Sequence, residues 1–340
     1  MATASEKDGA IAHMKIFMTG ATGFIGGHLV SKLLARGDQL TCLVRNPAKA
    51  ANLAQQGATL VKGDVSDRAV MRDAMRGMDG VFHIAALYKL GLEFKDQMYA
   101  ANVDGTRNTL EAAIEAGVPK IVYTSTIGVF GNTHDQIVDE SYRVAQDSLF
   151  SEYERTKWAA HYEVALPLQQ QGAPIVIVQP GGVTGPDDVS PLNMTYEFYL
   201  KRMPVMMGPK AGVTVAHVDD IAGGHILALE KGRNGESYIL AGPAITYKKM
   251  MEMWQSICGI SAPKVWLPGW AAALSSQLVS GLEKIFKLQV ALSSEVLMTQ
   301  ADYTFFASAD KAKRELGWQP RPLETAFKEV LAAKLTLRQK

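Results

Sequence analysis

The 340-residue chain holds only two cysteines, Cys42 and Cys258, which lie far apart and share no motif. That excludes a disulfide framework and a thiolate metal site. Cys42 falls in the apolar run LTCLV and reads as core packing. Charge of one sign is equally scarce: 35 Lys and Arg against 34 Asp and Glu leave a net +1. A chain so balanced has no overall field for gripping nucleic acid or an anionic surface, so a small-molecule substrate is the expected partner and nucleic acid is not. None of the seven histidines has a ligand-like spacing on a helix, so no metal is expected. His161, His217 and His225 read as structural or surface residues.

Long hydrophobic runs are missing too. The most apolar late segment, VWLPGWAAALSSQLVSGLEKIF (265–286), is broken by Pro268, Gly269, three serines and Glu283. It falls short of the ~18 uninterrupted apolar residues of a span. An amphipathic helix over the core is expected there, with peripheral membrane contact as the lesser reading. The start, MATASEKDGAIAHM, lacks the basic and apolar regions of a signal peptide. Residues 1–13 read as a flexible tail with Met14 opening the folded chain, and the default address is cytoplasmic.

What is present is a rhythm. KIFMT, QLTCLV, ATLVK, GVFHIA, KIVYTS and PIVIVQ are short runs, apolar on both faces, as strands buried on both sides of a parallel sheet require. Helical patterns separate them near residues 23–36, 67–76, 95–116 and 148–171. This β-α alternation over the first ~180 residues predicts an α/β doubly wound parallel sheet. Beyond QPGGVTGP the period is lost for about 30 residues. HVDDIAGGHILALE (217–230) then reads as a helix capped by Asp219 or Asp220, SYILAG as a strand, and the remainder as mostly helical. The expected division is 14–182 plus 217–241 as a dinucleotide-binding domain, and 183–216 plus 242–340 as a substrate-binding part folded over the sheet's C-terminal edge, where ligands bind in such sheets.

The first strand runs into TGATGFIGGHLV, where Gly20, Gly23 and Gly26 form G-x-x-G-x-x-G ahead of a helix. Glycines there allow a tight turn and a close approach to a pyrophosphate, which rests on the helix N-terminus. Gly20, Thr22, Gly23, Phe24, Ile25 and Gly26 are the expected contacts. At the end of the second strand an acid would bind the ribose 2′-hydroxyl of NAD. The chain has Arg45 there, with Lys49 one turn later, a pair that suits the 2′-phosphate of NADP; NAD is the lesser expectation. Asp64 and Val65, after the third strand, are placed for the adenine.

SEYERTKWAA (151–160) sets Tyr153 and Lys157 four residues apart, on one face of a helix. A free phenol has pKa ≈ 10; a neighbouring ammonium together with a positive nicotinamide ring favours the phenolate and would lower that value toward working range. Such a pair can exchange a proton with a carbonyl oxygen as hydride is transferred.

With TGATGFIGG, GDVSD, HIAA, NVDGTRNTLEAA, YTSTIGVFG, YERTK, QPGGVTGP and HVDDIAGGHILALE in this order, the chain resembles the extended short-chain dehydrogenase/reductases from about residue 14 to 335. Within them it is most similar to the branch of dihydroflavonol reductases, cinnamoyl-CoA reductases, 3β-hydroxysteroid dehydrogenases and the hopanoid-associated sugar epimerase group. The resemblance implies Tyr153 as acid/base, Lys157 as its partner, Thr126 as the hydroxyl residue with Ser125 a weaker candidate, and Asn102 as an asparagine that positions the lysine. It also implies Ala85 and Ala86 along the cofactor channel, and Pro180 and Val183 where the backbone meets the nicotinamide amide. Paired helices in the family imply a homodimer, with Ala100, Ala101, Ile114, Trp158, Tyr162 and Val164 as contacts.

Two departures steer the expected reaction. Sugar-nucleotide epimerases of this superfamily often carry Arg-x-x-Asn after the sixth strand, where this chain has VIVQPGGVTGP; the groups that would face a diphosphate are absent. Thr126 is followed by Ile127 and Gly128, without the acid pair of the dehydratases. Met194, Tyr196, Phe198, Tyr199, Met203, Met206, Met207, Trp266 and Trp270 form either core or an apolar pocket. The expectation is an NADP-dependent carbonyl reductase or alcohol dehydrogenase for a bulky apolar or aromatic ketone or aldehyde; the alternative is a nucleotide-sugar epimerase with retained NAD(P).

Overall fold

A computed structural model describes residues 13–89, 92–188, 190–286, 294–299 and 301–338. The tail expected over 1–13 lies outside them except for His13. The chain opens with β1 (Lys15–Thr19), α1 (Phe24–Ala35), β2 (Gln39–Val44), α2 (Ala51–Gln55), β3 (Thr59–Lys62), α3 (Arg68–Met75) and β4 (Gly80–His83). A long helix follows in three parts: α4 (Lys95–Tyr99), a π segment (Ala100–Asp104) and α5 (Gly105–Glu115). After β5 (Ile121–Thr124) a second long helix repeats the device as α6 (Glu152–Ala159), a π segment (Ala160–Ala165) and α7 (Leu166–Gln170), which leads to β6 (Ile175–Pro180). Then come β7 (Gly182–Thr184), α8 (Pro191–Leu200), β8 (Val205–Met207), β9 (Gly212–His217), α9 (Val218–Lys231) and β10 (Ser237–Leu240). The chain closes with β11 (Ala244–Thr246), α10 (Tyr247–Cys258), β12 (Val265–Leu267), α11 (Gly269–Phe286), α12 (Ser294–Thr299), β13 (Thr304–Phe305), α13 (Asp310–Leu316) and α14 (Leu323–Arg338).

The six expected strands and SYIL join in one parallel sheet of order β10-β6-β5-β4-β1-β2-β3. The doubly apolar runs are explained by its two faces. Ile16, Met18, Cys42, Phe82, Val122, Val176 and Val178 pack under α1, α9 and α13. Their strand neighbours Phe17, Leu43, Val81, Ile121, Tyr123, Ile175 and Ile177 pack under α3, α5 and α6. The order reverses about β1, so the loops after β1 and β4 part at the C-terminal edge and leave a crevice there.

The stretch without clear period is not irregular. It supplies β9, the hub of a small sheet that pairs with β7, β11 and β13. Beside it α8, α10 and α14 enclose a third core, where Tyr196 stacks on Trp254 at 4.1 Å and Phe327 meets that indole edge-on at 5.7 Å. Of the apolar residues expected as core or pocket, Tyr196, Tyr199 and Met206 are core, while Met203 and Trp270 are exposed.

Two expectations are corrected. The cap of α9 is His217, whose Nδ1 accepts the Asp219 N–H at 3.2 Å. Asp219 and Asp220 sit in the first turn and pair elsewhere, with His28 and Arg321. Trp158 and Val164, expected on a surface between two copies, are covered within the chain. The Trp158 indole donates to the Val144 carbonyl and lies under the Arg143 guanidinium.

Trp254 has no exposure, yet among the described residues its indole N–H has no partner. Trp254→Ala should therefore lower stability by about 3–5 kcal/mol. Trp254→Phe, which keeps most of the ring and deletes the orphan donor, should cost under about 1.5 kcal/mol. Urea unfolding of both variants checks this; equal losses would refute it.

Candidate active site

The site grows from the ends of six strands. A cavity of about 1050 Å³ is lined by residues at or just past the C-terminal ends of β1, β2, β3, β4, β5 and β6, and by residues of α8.

After β1 the chain turns at Gly20, whose φ of +79° lies in the left-handed region. A Cβ on Gly20 would stand 2.6 Å from the Ala85 nitrogen, and one on Gly26 would stand 2.0 Å from the Gly20 carbonyl oxygen. Only glycine fits either place. Gly23 caps α1 without a side chain, so the first-turn N–H groups of Phe24, Ile25 and Gly26 lack an intrahelical acceptor where they line the cavity. Such a bare helix start suits an anionic diphosphate. Thr22, Gly23 and the rest of the expected glycine-loop contacts all line the cavity.

At the end of β2, Asn46 accepts the N–H groups of Ala48 and Lys49 and starts a short 3-10 turn. This turn brings Lys49 round beside Arg45. Both line the cavity, and among the described residues neither is ion-paired. Asp64 and Val65 line the same end; one Asp64 oxygen accepts the Ser66 N–H at 3.1 Å. Ala85, Ala86, Pro180 and Val183 line the middle.

Near the middle of the cavity stand Thr126, Tyr153 and Lys157. Ser151 caps α6 by accepting the Glu154 N–H, while Glu154 accepts the Phe150 N–H, so SEYE starts the helix one residue before Tyr153. Thr126 caps the 3-10 turn Ile127–Phe130; its oxygen accepts the Gly128 N–H at 3.1 Å, which leaves its O–H to donate. Ser125 is tied by a 2.8 Å bond to the buried His161. The distinction between the two hydroxyls is therefore physical.

Lys157 is only 2% exposed and donates to the Thr124 carbonyl at 2.8 Å and to the Tyr123 hydroxyl at 3.3 Å. Tyr123 is bonded in turn to Thr106, which donates to the Asn102 carbonyl at 2.6 Å. His83 stacks on Tyr123, and its Nε2 lies 2.9 Å from the Thr106 hydroxyl; its Nδ1 lies 2.8 Å from Thr19. Burial keeps His83 neutral, down to about 3. The sequence reading passed over this buried polar line. Its signal was a phenol inside an apolar strand, which needs a partner when buried. Among the described residues no hydrogen bond joins Asn102 to Lys157; its bonds reach the neighbouring Thr156 instead. The Asn102 side chain clamps the Leu87 backbone with bonds of 2.7 and 2.9 Å and donates to Thr156 at 3.0 Å.

The protein groups alone do not lower Tyr153. Burial raises its hydroxyl to about 12, and the Glu154 carboxylate pushes the same way. Burial lowers Lys157 to about 7. Desolvation opposes both charges, and here it outweighs their mutual attraction.

The comparisons follow this geometry. A model of the NAD dependent epimerase/dehydratase family matches residues 16–241. The chain belongs to that family. It is 33% identical, over 93% of both chains, to a protein of Synechocystis sp. whose name provisionally assigns it as a dihydroflavonol 4-reductase. It is 30% identical, over 91% of this chain and 92% of the other, to a farnesyl-dihydroquinoline-oxide ketoreductase of Stigmatella aurantiaca. Among solved structures, the crystal structure of gox2253 superposes with a TM-score of 0.82 at 34% identity, covering 96% of this chain and 99% of that one. A UDP-glucose 4-epimerase of Thermotoga maritima shares the fold, with a TM-score of 0.73 at 21% identity, 95% of this chain and 100% of that one. The family member described here is thus an NAD(P)-dependent reductase or dehydrogenase of the extended short-chain type, with a nicotinamide cofactor. The glycine cradle and bare helix start fit that dinucleotide. No described helix is long and apolar enough to cross a membrane, and no described cluster of His, Cys, Asp and Glu could hold a metal.

Lys157 in the cofactor-free protein ties protonation to stability. Its pKa is about 7 folded and near 10.4 unfolded, so between these values the unfolded chain binds the extra proton. Stability should then rise with pH from about 7 to about 10, while the penalty is fully present below 7. In Lys157→Met that rise should be shallower by about 1.4 kcal/mol per pH unit, the equivalent of one proton. Chemical denaturation across this range tests it; parallel curves would refute it.

Proposed function

We propose that this chain is an NADP-dependent carbonyl reductase for a bulky apolar or aromatic ketone or aldehyde. One observation carries the substrate class. Beyond Tyr153 the cavity is lined by Leu192, Met194 and Phe198 of α8, with Val213, Tyr247 and Phe305, and among the lining residues the only cations are Arg45, Lys49 and Lys157. A sugar diphosphate draws its binding from charge-assisted partners, and this end provides no cation. The apolar wall favours a hydrophobic substrate at ~25 cal/mol per Å² buried. The relatives' names agree: one is a flavonol reductase by assignment, the other a ketoreductase of a farnesylated ring.

In this reading residues 14–182 with 217–241 hold the dinucleotide, and 183–216 with 242–340 shape the substrate. The bound nicotinamide supplies hydride. Thr126 donates a hydrogen bond to the substrate carbonyl and fixes its position. Tyr153, protonated at neutral pH in the cofactor-free site, gives the proton to that oxygen. Lys157, anchored on Thr124, is positioned to offset the charge left on the phenolate. Arg45, with Lys49, holds the 2′-phosphate of NADP.

Tyr153→Phe should leave NADPH binding intact and cut kcat by ~10²–10⁴-fold, because only the transferable proton is lost. Near-normal turnover of an aromatic ketone by that variant would sink the assignment.

For the cofactor, a charge-assisted hydrogen bond of ~1.5–3 kcal/mol predicts NADPH binding roughly tenfold to a hundredfold tighter than NADH. Arg45→Asp should reverse the order. Calorimetry that finds equal affinities in the unmutated protein would contradict this. Tightly retained NAD together with UDP-sugar interconversion would favour the epimerase reading instead.

A further inference from the structure

The outer face of α11 is inverted for a surface helix. It buries the small Ala272 and Ser276 and turns Trp270, Leu274 and Leu278 outward, with 69, 52 and 64% exposure. These three recur every fourth residue and form a stripe about 12 Å long. The apolar surface continues into the two-stranded sheet just before the helix. Val265 and Leu267 of β12 are exposed, as is Val205 of β8, which is paired with Val265; Met203 lies just ahead of it.

The near-zero net charge conceals a local asymmetry here. Segments 198–216 and 259–281 carry Lys201, Arg202, Lys210 and Lys264, and no Asp or Glu. All four cations are exposed, and none is ion-paired among the described residues. Asp302, half-buried beside this face, has one carboxylate oxygen engaged as acceptor of the Lys210 backbone N–H at 3.2 Å.

We propose that this face seats the protein on an anionic lipid bilayer, with Trp270, Leu274 and Leu278 in the headgroup zone and the four cations against the lipid charges. A large apolar stripe rimmed by cations is what binding in a bilayer interface requires. A second copy of the chain fits less well, because isologous pairing would bring the same four cations against themselves. The face also adjoins the cavity: α8 lines it with Leu192, Met194 and Phe198, and ends at Lys201. The proposal does not depend on the substrate class.

The test is co-sedimentation of the full-length protein with vesicles of phosphatidylcholine alone and of phosphatidylcholine with phosphatidylglycerol. Binding is expected only to the anionic vesicles, falling steeply with salt. Each cation removed should weaken it by about fivefold. Trp270→Ser/Leu274→Ser/Leu278→Ser and, separately, Lys201→Glu/Arg202→Glu/Lys264→Glu should each lower binding by at least tenfold, with NADPH binding retained as proof of folding. No binding by the unmutated protein, or undiminished binding by the serine variant, would overturn the proposal. A dimer that the serine variant dissociates would assign the face to a second copy and overturn it as well.

Discussion

The candidate site depends on one desolvated ammonium. Lys157 is held between the Thr124 carbonyl at the end of β5 and the Tyr123 hydroxyl beneath it. That bond fixes α6 in register against the strand. Tyr153 lies one turn before it, and Thr126 two residues past Thr124, so a phenol and an alcohol hydroxyl reach the same cavity from two elements. Removing a lysine from water is unfavourable, and the structure answers with donors and acceptors deep in the sheet. Tyr123, Thr106, His83 and Thr19 form a buried line that no apolar core would need.

The π segments belong to the same problem. The one at Ala100–Asp104 carries Asn102, which ties the Leu87 backbone to Thr156. The one at Ala160–Ala165 carries His161, which is hydrogen-bonded to Ser125. Such bulges gather at functional sites because they aim one side chain without ending a helix. Here both helices keep their length and still place a polar side chain against the sheet. The cavity therefore inherits rigidity from two long helices rather than from loops.

The main sheet was legible in the sequence because most of its strands are apolar on both faces and each of the first five is followed by a helix before the next strand, so the information is local. The small sheet was not: β9 is six residues long and pairs with β7, β11 and β13, which lie far from one another along the chain. No local period reports such a meeting. The glycine loop was legible because close backbone approach admits one residue type at Gly20 and Gly26. So was the grouping of Thr126, Tyr153 and Lys157, which line one cavity. The direction of the Tyr153 shift was not legible, since desolvation depends on what the fold packs around a phenol and the sequence shows only its neighbours. The cap of α9 failed for a related reason: Asp219 and Asp220 are good caps by type, but His28 and Arg321, brought in from either end of the chain, claim their carboxylates.

The raised Tyr153 pKa bears on direction. A phenol at about 12 keeps its proton at neutral pH, and a lysine at about 7 is only partly charged. In that state the phenol can donate a proton. Oxidation would require the phenolate first, and a positive charge beside Tyr153 would have to offset its desolvation. The charge along the cavity runs the same way. Arg45 and Lys49 gather cations at one end, suited to a phosphorylated ribose, while the α8 end has apolar side chains and no cation. A substrate that enters there with a buried hydrocarbon body and one carbonyl needs only what Thr126 and Tyr153 provide.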